Sequence, residues 1–160
     1  MDGPGNSEAR ESLTKRRLRL WLRMLTVTRA TEAGLRGYLR EQHGTTLPRF
    51  DVMAALWRRG EAIPMGELSR MLLVSNGNAT DVVGRLEKEG LVQRTPCTED
   101  RRTVRVTLTE AGRAQFEGMA SGHEAELSRL FGALNLDDLE TMRAILRKVS
   151  PQMDGAKEKA

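Results

Sequence analysis

"LVSNGNATDVVGRLEKEGLVQRTPCTEDRRTVRVTLTEAG", residues 73–112, changes periodicity twice within forty residues. Its polar opening offers Ser75 as an N-cap for a helix running to about Glu89, with Gly90 at the C-terminal end. Ala79, Val82, Val83 and Leu86 recur at helical spacing and point inward. The other face carries Asn76, Gly77, Thr80, Asp81, Gly84, Arg85 and Lys88, with no large apolar residue. "LVQRTPC" and "TVRVTLT" follow, each of period two, joined by a tip holding Asp100, Arg101 and Arg102. Pro96 suits an edge strand or a bulge, where a missing N–H breaks no central ladder.

Outward from this stretch the chain is helical. A short helix at about Met65 to Leu72 turns Leu68, Met71 and Leu72 inward, and its distance from the next helix is that of a helix-turn-helix. "HGTTLPRF" (43–50) ends one helix and starts another: Gly44 suits a left-handed cap, Thr46 an N-cap, and Pro48 an early helical position. Phe50, Met53, Ala54 and Trp57 then share a face up to Arg59, before Gly60. From about Ser12 to His43 one long helix carries two apolar stripes. One is Leu18, Trp21, Leu22, Leu25 and Thr28; the other is Leu20, Met24 and Val27 with Ala30 or Thr31. Two stripes need two surfaces, and another subunit is the natural second. Thr109 and Glu110 open a second long helix, and "NLDD" (135–138) restarts a last one whose Leu139, Met142, Ile145, Leu146 and Val149 are expected to face inward.

The expected fold is therefore mainly α with a small β-hairpin wing: a winged helix-turn-helix core flanked by long N- and C-terminal dimerisation helices. The boundaries are a tail at 1–10, a dimerisation helix at 11–43, the winged core at 44–109, C-terminal dimerisation helices at 110–150, and a flexible tail at 151–160.

A formal net charge of +4 and a pI near 9.7 point towards an anionic partner. The single cysteine, Cys97, excludes an intramolecular disulfide and fits a reducing compartment. "LRLWLRMLTV" (18–27) is the longest apolar candidate, and Arg19 and Arg23 interrupt it, so no membrane span is expected. The first twelve residues lack the apolar centre of a signal peptide, and the expected location is the cytoplasm. His43 and His123 have no ligand-spaced companion, and neither a Gly-rich phosphate loop nor a catalytic motif is present. No metal, cofactor or enzymatic activity is expected.

A bare helical face of short hydrogen-bonding side chains suits the DNA major groove. Asn pairs with adenine, Arg with guanine, Thr bonds or touches a thymine methyl, and Asp accepts from cytosine N4. On this basis Ser75, Asn76, Asn78, Thr80, Asp81 and Arg85 are the candidate recognition-helix contacts, Ser75 at a helix N-terminus that also offers free N–H groups to phosphate. At the hairpin tip Arg101 is placed in the narrow minor groove and Arg102 either there or on a phosphate, with Asp100 as support.

Residues 66–112, "GELSRMLLVSNGNATDVVGRLEKEGLVQRTPCTEDRRTVRVTLTEAG", resemble the winged-helix core of MarR-type transcriptional regulators, most tellingly in "LEKEGLVQR", "DRR" and "VTLTEAG". The resemblance, extending over roughly residues 12–150, implies a homodimer on a pseudo-palindromic double-stranded operator. It further implies a small, often aromatic, anionic ligand that alters DNA affinity. Tyr38, His43, Phe50, Met53 and Trp57 are the candidate effector pocket, with simple core packing as the other reading. The sequence departs from the family at Asp81, where a basic residue often follows the threonine; Asp81 then reads a cytosine amino group or holds Arg85. Oxidant-sensing relatives carry their cysteine near the first helix, so that role does not transfer to Cys97. The expected activity is that of a ligand-responsive regulator, a repressor released by an aromatic carboxylate or its CoA thioester. A constitutive DNA-binding or architectural protein without an effector is the alternative.

Overall fold

Capping residues decide where the helices of this chain begin and end. In the computed structural model, which describes residues 12–97 and 103–157, α1 (Leu13–His43) starts at Ser12, whose hydroxyl accepts from the Lys15 N–H, and stops at Gly44 in the left-handed region. Next, α2 (Leu47–Arg59) begins after Thr46 with Pro48 in its first turn and ends at left-handed Gly60. The Thr46 side chain makes no capping bond, so the proline alone shapes that start. β1 (Ile63–Pro64) leads directly into α3 (Met65–Leu72). Ser75 caps α4 (Asn76–Lys88) by accepting from the Asn78 N–H at 3.2 Å. β2 (Val92–Pro96) and β3 (Val104–Leu108) form the wing, and α5 (Glu110–Leu130) and α6 (Leu136–Lys157) complete the order.

The sheet is three-stranded and antiparallel in the order β1-β3-β2. The sequence predicts only the hairpin; β1 is two residues long and too short to show a period. It pairs because Ile63, opposite Val106, is fully buried, as Val106 is. Pro96 lies on the outer strand β2, as its missing N–H requires.

The chain divides into two compact units, Met1–Glu126 and Leu127–Ala160. The first holds the core. Leu39 of α1, Met53 of α2, Leu68 of α3, Val83 and Leu86 of α4, and Val106 of β3 are all at most 1% exposed. Each such side chain stabilises the fold by about 1.5–3 kcal/mol over an exposed one. Thr109 joins wing to helix: its N–H donates to Leu91 O at 3.0 Å, its hydroxyl to Gly90 O at 2.7 Å, and its oxygen accepts from Gly112 N at 3.0 Å. Gly112 is buried with its α-carbon against the Leu91 carbonyl, where a side chain would collide with backbone.

In the second unit Asn135 and Asp138 cap α6 reciprocally, Asp138 N–H donating to Asn135 Oδ1 at 2.9 Å and Asn135 N–H to Asp138 Oδ2 at 3.1 Å. The expected inward stripe of α6 is not inward on the single chain: Leu139, Met142, Ile145, Leu146 and Val149 are each 40% exposed or more. Both stripes of α1 are likewise uncovered at Leu18, Leu20, Trp21, Leu22 and Val27. Periodicity reported correctly that these faces are apolar, but one chain supplies no cover for them. The helical backbone of α6 also continues to Lys157, into the stretch 151–160 expected to be a tail.

Replacing Gly112 with alanine forces a methyl against the Leu91 carbonyl. The variant should lose about 1–3 kcal/mol, as overpacking does, read from the midpoint of urea unfolding.

Candidate nucleic-acid interface

The turn between α3 and α4 sets the pose of the polar helix. Leu73 takes a left-handed backbone (φ 56°), and the Leu73 and Val74 N–H groups donate back to Arg70 O and Ser69 O. Leu73 itself points to solvent, 75% exposed. Buried Ser69 donates its hydroxyl to Asn76 Oδ1 and lies 3.1 Å from Gly66 O. The Asn76 side chain is thus turned back on α3 and locks the turn, which takes its carbonyl away from base reading.

The remaining recognition-helix candidates divide by their bonds. Ser75 is committed to its cap, and the Thr80 hydroxyl donates to Asn76 O at 2.7 Å, leaving it acceptor capacity and a methyl. Asn78, Asp81 and Arg85 are exposed and line one cavity of about 300 Å³ with Pro48, Asp51 and Val52 of α2. Of the two readings of Asp81, the bond to Arg85 is not made among the described residues. Gly77 is open, since an added methyl would meet only Ser75 Oγ at 4.0 Å. Gly84 is covered: an added methyl would lie 2.9 Å from Arg94 Nη2. Asp100, Arg101 and Arg102 lie outside the described residues.

Five residues of the site were not singled out from the sequence. Arg94 of β2 and Glu87 of α4 pair at 3.0 Å, and the Arg94 N–H donates to Glu87 Oε1 at 3.2 Å, so the wing root is tied to the polar helix. Arg49 of α2 makes a two-pronged pair with Glu89 just past α4, one prong at 2.7 Å from Nη1 to Oε1. This hydrogen bonding holds the Glu89 carboxyl below the usual carboxylate range and raises Arg49 further. Asp51 lines the cavity beside α4 and a second one of about 230 Å³ with Arg58 and Met71. Burial, and then the charge of Glu32 on α1, push the Asp51 carboxyl up to about 6.

The candidate effector residues pack against one another and against α5. Tyr38 Oη lies 2.8 Å from His43 Nε2, donates to Met119 O at 3.3 Å, and its ring covers Gly122. Phe50 stacks on His123 with centroids 4.2 Å apart and touches Phe116, which also meets Trp57. The Trp57 indole N–H donates to Glu117 at 3.3 Å, and Met53 is fully buried. Burial against Phe50 lowers the His123 pKa, with Glu124 opposing. Cys97 is half-buried, and its N–H donates to Thr103 O at 2.9 Å. Among the described residues no cluster of metal-ligating side chains occurs, and no helix is long and apolar enough to cross a membrane.

Known proteins share this arrangement. A family model described as MarR family matches residues 45–104. The transcriptional activatory protein BadR of Rhodopseudomonas palustris is 33% identical over 138 residues, covering 82% of this chain and 74% of its own. A mutant MarR of E. coli complexed with operator DNA superposes with a TM-score of 0.75 at 28% identity, covering 87% of this chain and 99% of that one. BpsR of Bordetella bronchiseptica, whose DNA binding is regulated by 6-hydroxynicotinic acid, gives 0.74 at 26% identity over 82% and 98%.

Asp51 generates a pH prediction. Its folded pKa, about 6, lies above the ordinary aspartate value of 3.8, so its stabilising contribution is complete below the lower value and disappears as pH rises through the higher. Asp51→Asn should therefore be more stable than the parent at pH 7 and lose that advantage towards pH 4. Urea unfolding midpoints of the two proteins across this range check it, and the parent-minus-variant difference removes the His123 titration common to both.

Proposed function

The chain belongs to the MarR family of transcriptional regulators, which are not enzymes, and from that premise we propose that it binds a pseudo-palindromic operator as a homodimer and is released by a small ligand. The carrying observation is the exposed face of α4, capped at Ser75, with Asn78, Thr80, Asp81 and Arg85 unobstructed while the wing strands are tied alongside. In this reading Asn78, Asp81 and Arg85 meet base edges, Thr80 presents its methyl, and Asn76 holds the turn. Arg101 enters the minor groove, and Arg102 lies there or on a phosphate, steadied by Asp100. Two copies set their α4 helices in successive major grooves, roughly 34 Å apart. The uncovered apolar faces of α1 and α6 supply the dimer interface.

The proposed effector is an aromatic carboxylate or its CoA thioester, and repression is relieved when it binds. Support comes from the regulation of BpsR by an aromatic carboxylate and from the aromatic set Tyr38, Phe50 and Trp57 with His43. A ligand acts only through its preference for one spacing of the two α4 helices over another. BadR is named an activatory protein, and the same DNA-binding geometry serves either sign according to where the operator lies. The second reading is a constitutive DNA-binding protein, favoured by the mutual packing of the aromatic side chains.

Selection of bound fragments from random duplex DNA should return a two-fold symmetric site; a site without symmetry removes the dimer from the mechanism. Arg85→Ala should relax base preference at one position per half-site by about 1–3 kcal/mol. Arg101→Ala should weaken binding to all duplexes and flatten the salt dependence. A panel of aromatic carboxylates separates the two readings of the effector, since a ligand at a hundredfold its Kd adds about 2.7 kcal/mol of stability.

A further inference from the structure

When a helix occupies a major groove and the hairpin beside it reaches the adjacent minor groove, one sugar–phosphate backbone passes between them. Whatever bridges α4 and β2 therefore faces that backbone. Here the bridge is Arg94. Its backbone N–H donates to Glu87 Oε1 at 3.2 Å, and its buried Nε lies 3.0 Å from Glu87 Oε2 as an ion pair without a hydrogen bond, which keeps the side chain beside α4. The guanidinium end then lies across Gly84, where any β-carbon would stand 2.9 Å from Nη2. Nη1 and Nη2 make no hydrogen bond among the described residues, and the side chain is 30% exposed, so the charged end is reachable. The charge pairing with Glu87 engages the Nε side of the guanidinium, and the outer edge presents two parallel N–H groups, the geometry that grips a phosphate through two oxygens.

We propose that Arg94 is a phosphate-binding residue at the junction of recognition helix and wing, with Glu87 as its positioning residue and Gly84 as the gap that seats it. The inference rests on the DNA-binding reading above and adds a contact that carries no sequence information. Phosphate contacts fix register and orientation, whereas base edges supply specificity. Arg94 thus sets how deep the helix and the wing sit together, and its loss is felt equally on every duplex.

The test measures affinity against salt concentration for the selected operator and for a scrambled duplex of equal length, with parent, Arg94→Gln, Arg94→Lys, Gly84→Ala and Gly84→Ala/Arg94→Gln proteins. Arg94→Gln should lower affinity roughly tenfold at 0.1 M salt on both duplexes and reduce the slope of log K against log salt by about 0.9, one phosphate's worth. Arg94→Lys should restore part of the slope, because the charge returns without the fork. Gly84→Ala should weaken the parent but add nothing once Arg94 is gone, since both changes remove the same contact. Thermal melting of each variant separates these effects from misfolding, and Arg94→Lys serves if the glutamine variant does not fold. An unchanged slope in a folded Arg94→Gln protein, a loss confined to the operator, or additive effects of the two substitutions overturns the assignment. Failure of the parent to bind any duplex is a different result: it removes the DNA-binding reading itself.

Discussion

The orientation of α4 is the constraint on which the rest depends, and it is fixed from both ends. At its start the buried hydroxyl of Ser69 holds the side chain of Asn76. Past its end the guanidinium of Arg49 takes both oxygens of Glu89. Between these pins Ala79, Val83 and Leu86 are buried in the core, so the helix can neither roll nor slide without breaking a polar contact or opening a void. An exposed face is useful for recognition only when its direction is set, and here Asn76 and Glu89, tied to α3 and α2, set it. The ion pair between Arg94 and Glu87 extends the same control to the wing, so helix and hairpin move as one piece.

How much of this was legible in the sequence depends on the range of each signal. The start of α4 at Ser75, the left-handed stops at Gly44 and Gly60, and the edge position of Pro96 follow from local backbone chemistry and were readable directly. α3 runs over the expected residues because "LSRML" gives a clear stripe ahead of the turn. β1 was not readable, since two residues have no period and pair only once Val106 is in place opposite. The bond between Ser69 and Asn76 depends on the left-handed turn at Leu73, a conformation leucine does not advertise. It changes the part given to Asn76 from reader of bases to brace. Arg94 was missed for a similar reason: it follows Gly84 by ten residues, and only the folded chain lays it across the helix.

The apolar faces of α1 and α6 show a further limit of pattern reading. A period of three and four states that a side is water-averse but not what shields it. Leu18, Leu20, Trp21, Leu22 and Val27 of α1 and the whole stripe of α6 stand in solvent on one chain, while Leu39 at the other end of α1 is buried, as are Met53 and Leu68 of the winged core. The two regions therefore differ in kind. One has its apolar side chains buried; the other consists of helix faces whose apolar side chains are uncovered.

If a second copy covers those faces, as proposed, the survival of the molecule is tied to its own abundance. If oily helices find shelter only in a like molecule, then dilution loosens them first, and mass action favours the intact form wherever copies are plentiful. A cell that makes few copies would keep a population of partly frayed singles, each with its reading head still folded but with no twin to fix the stride between heads. Scarcity would silence such a protein before any small molecule reached it.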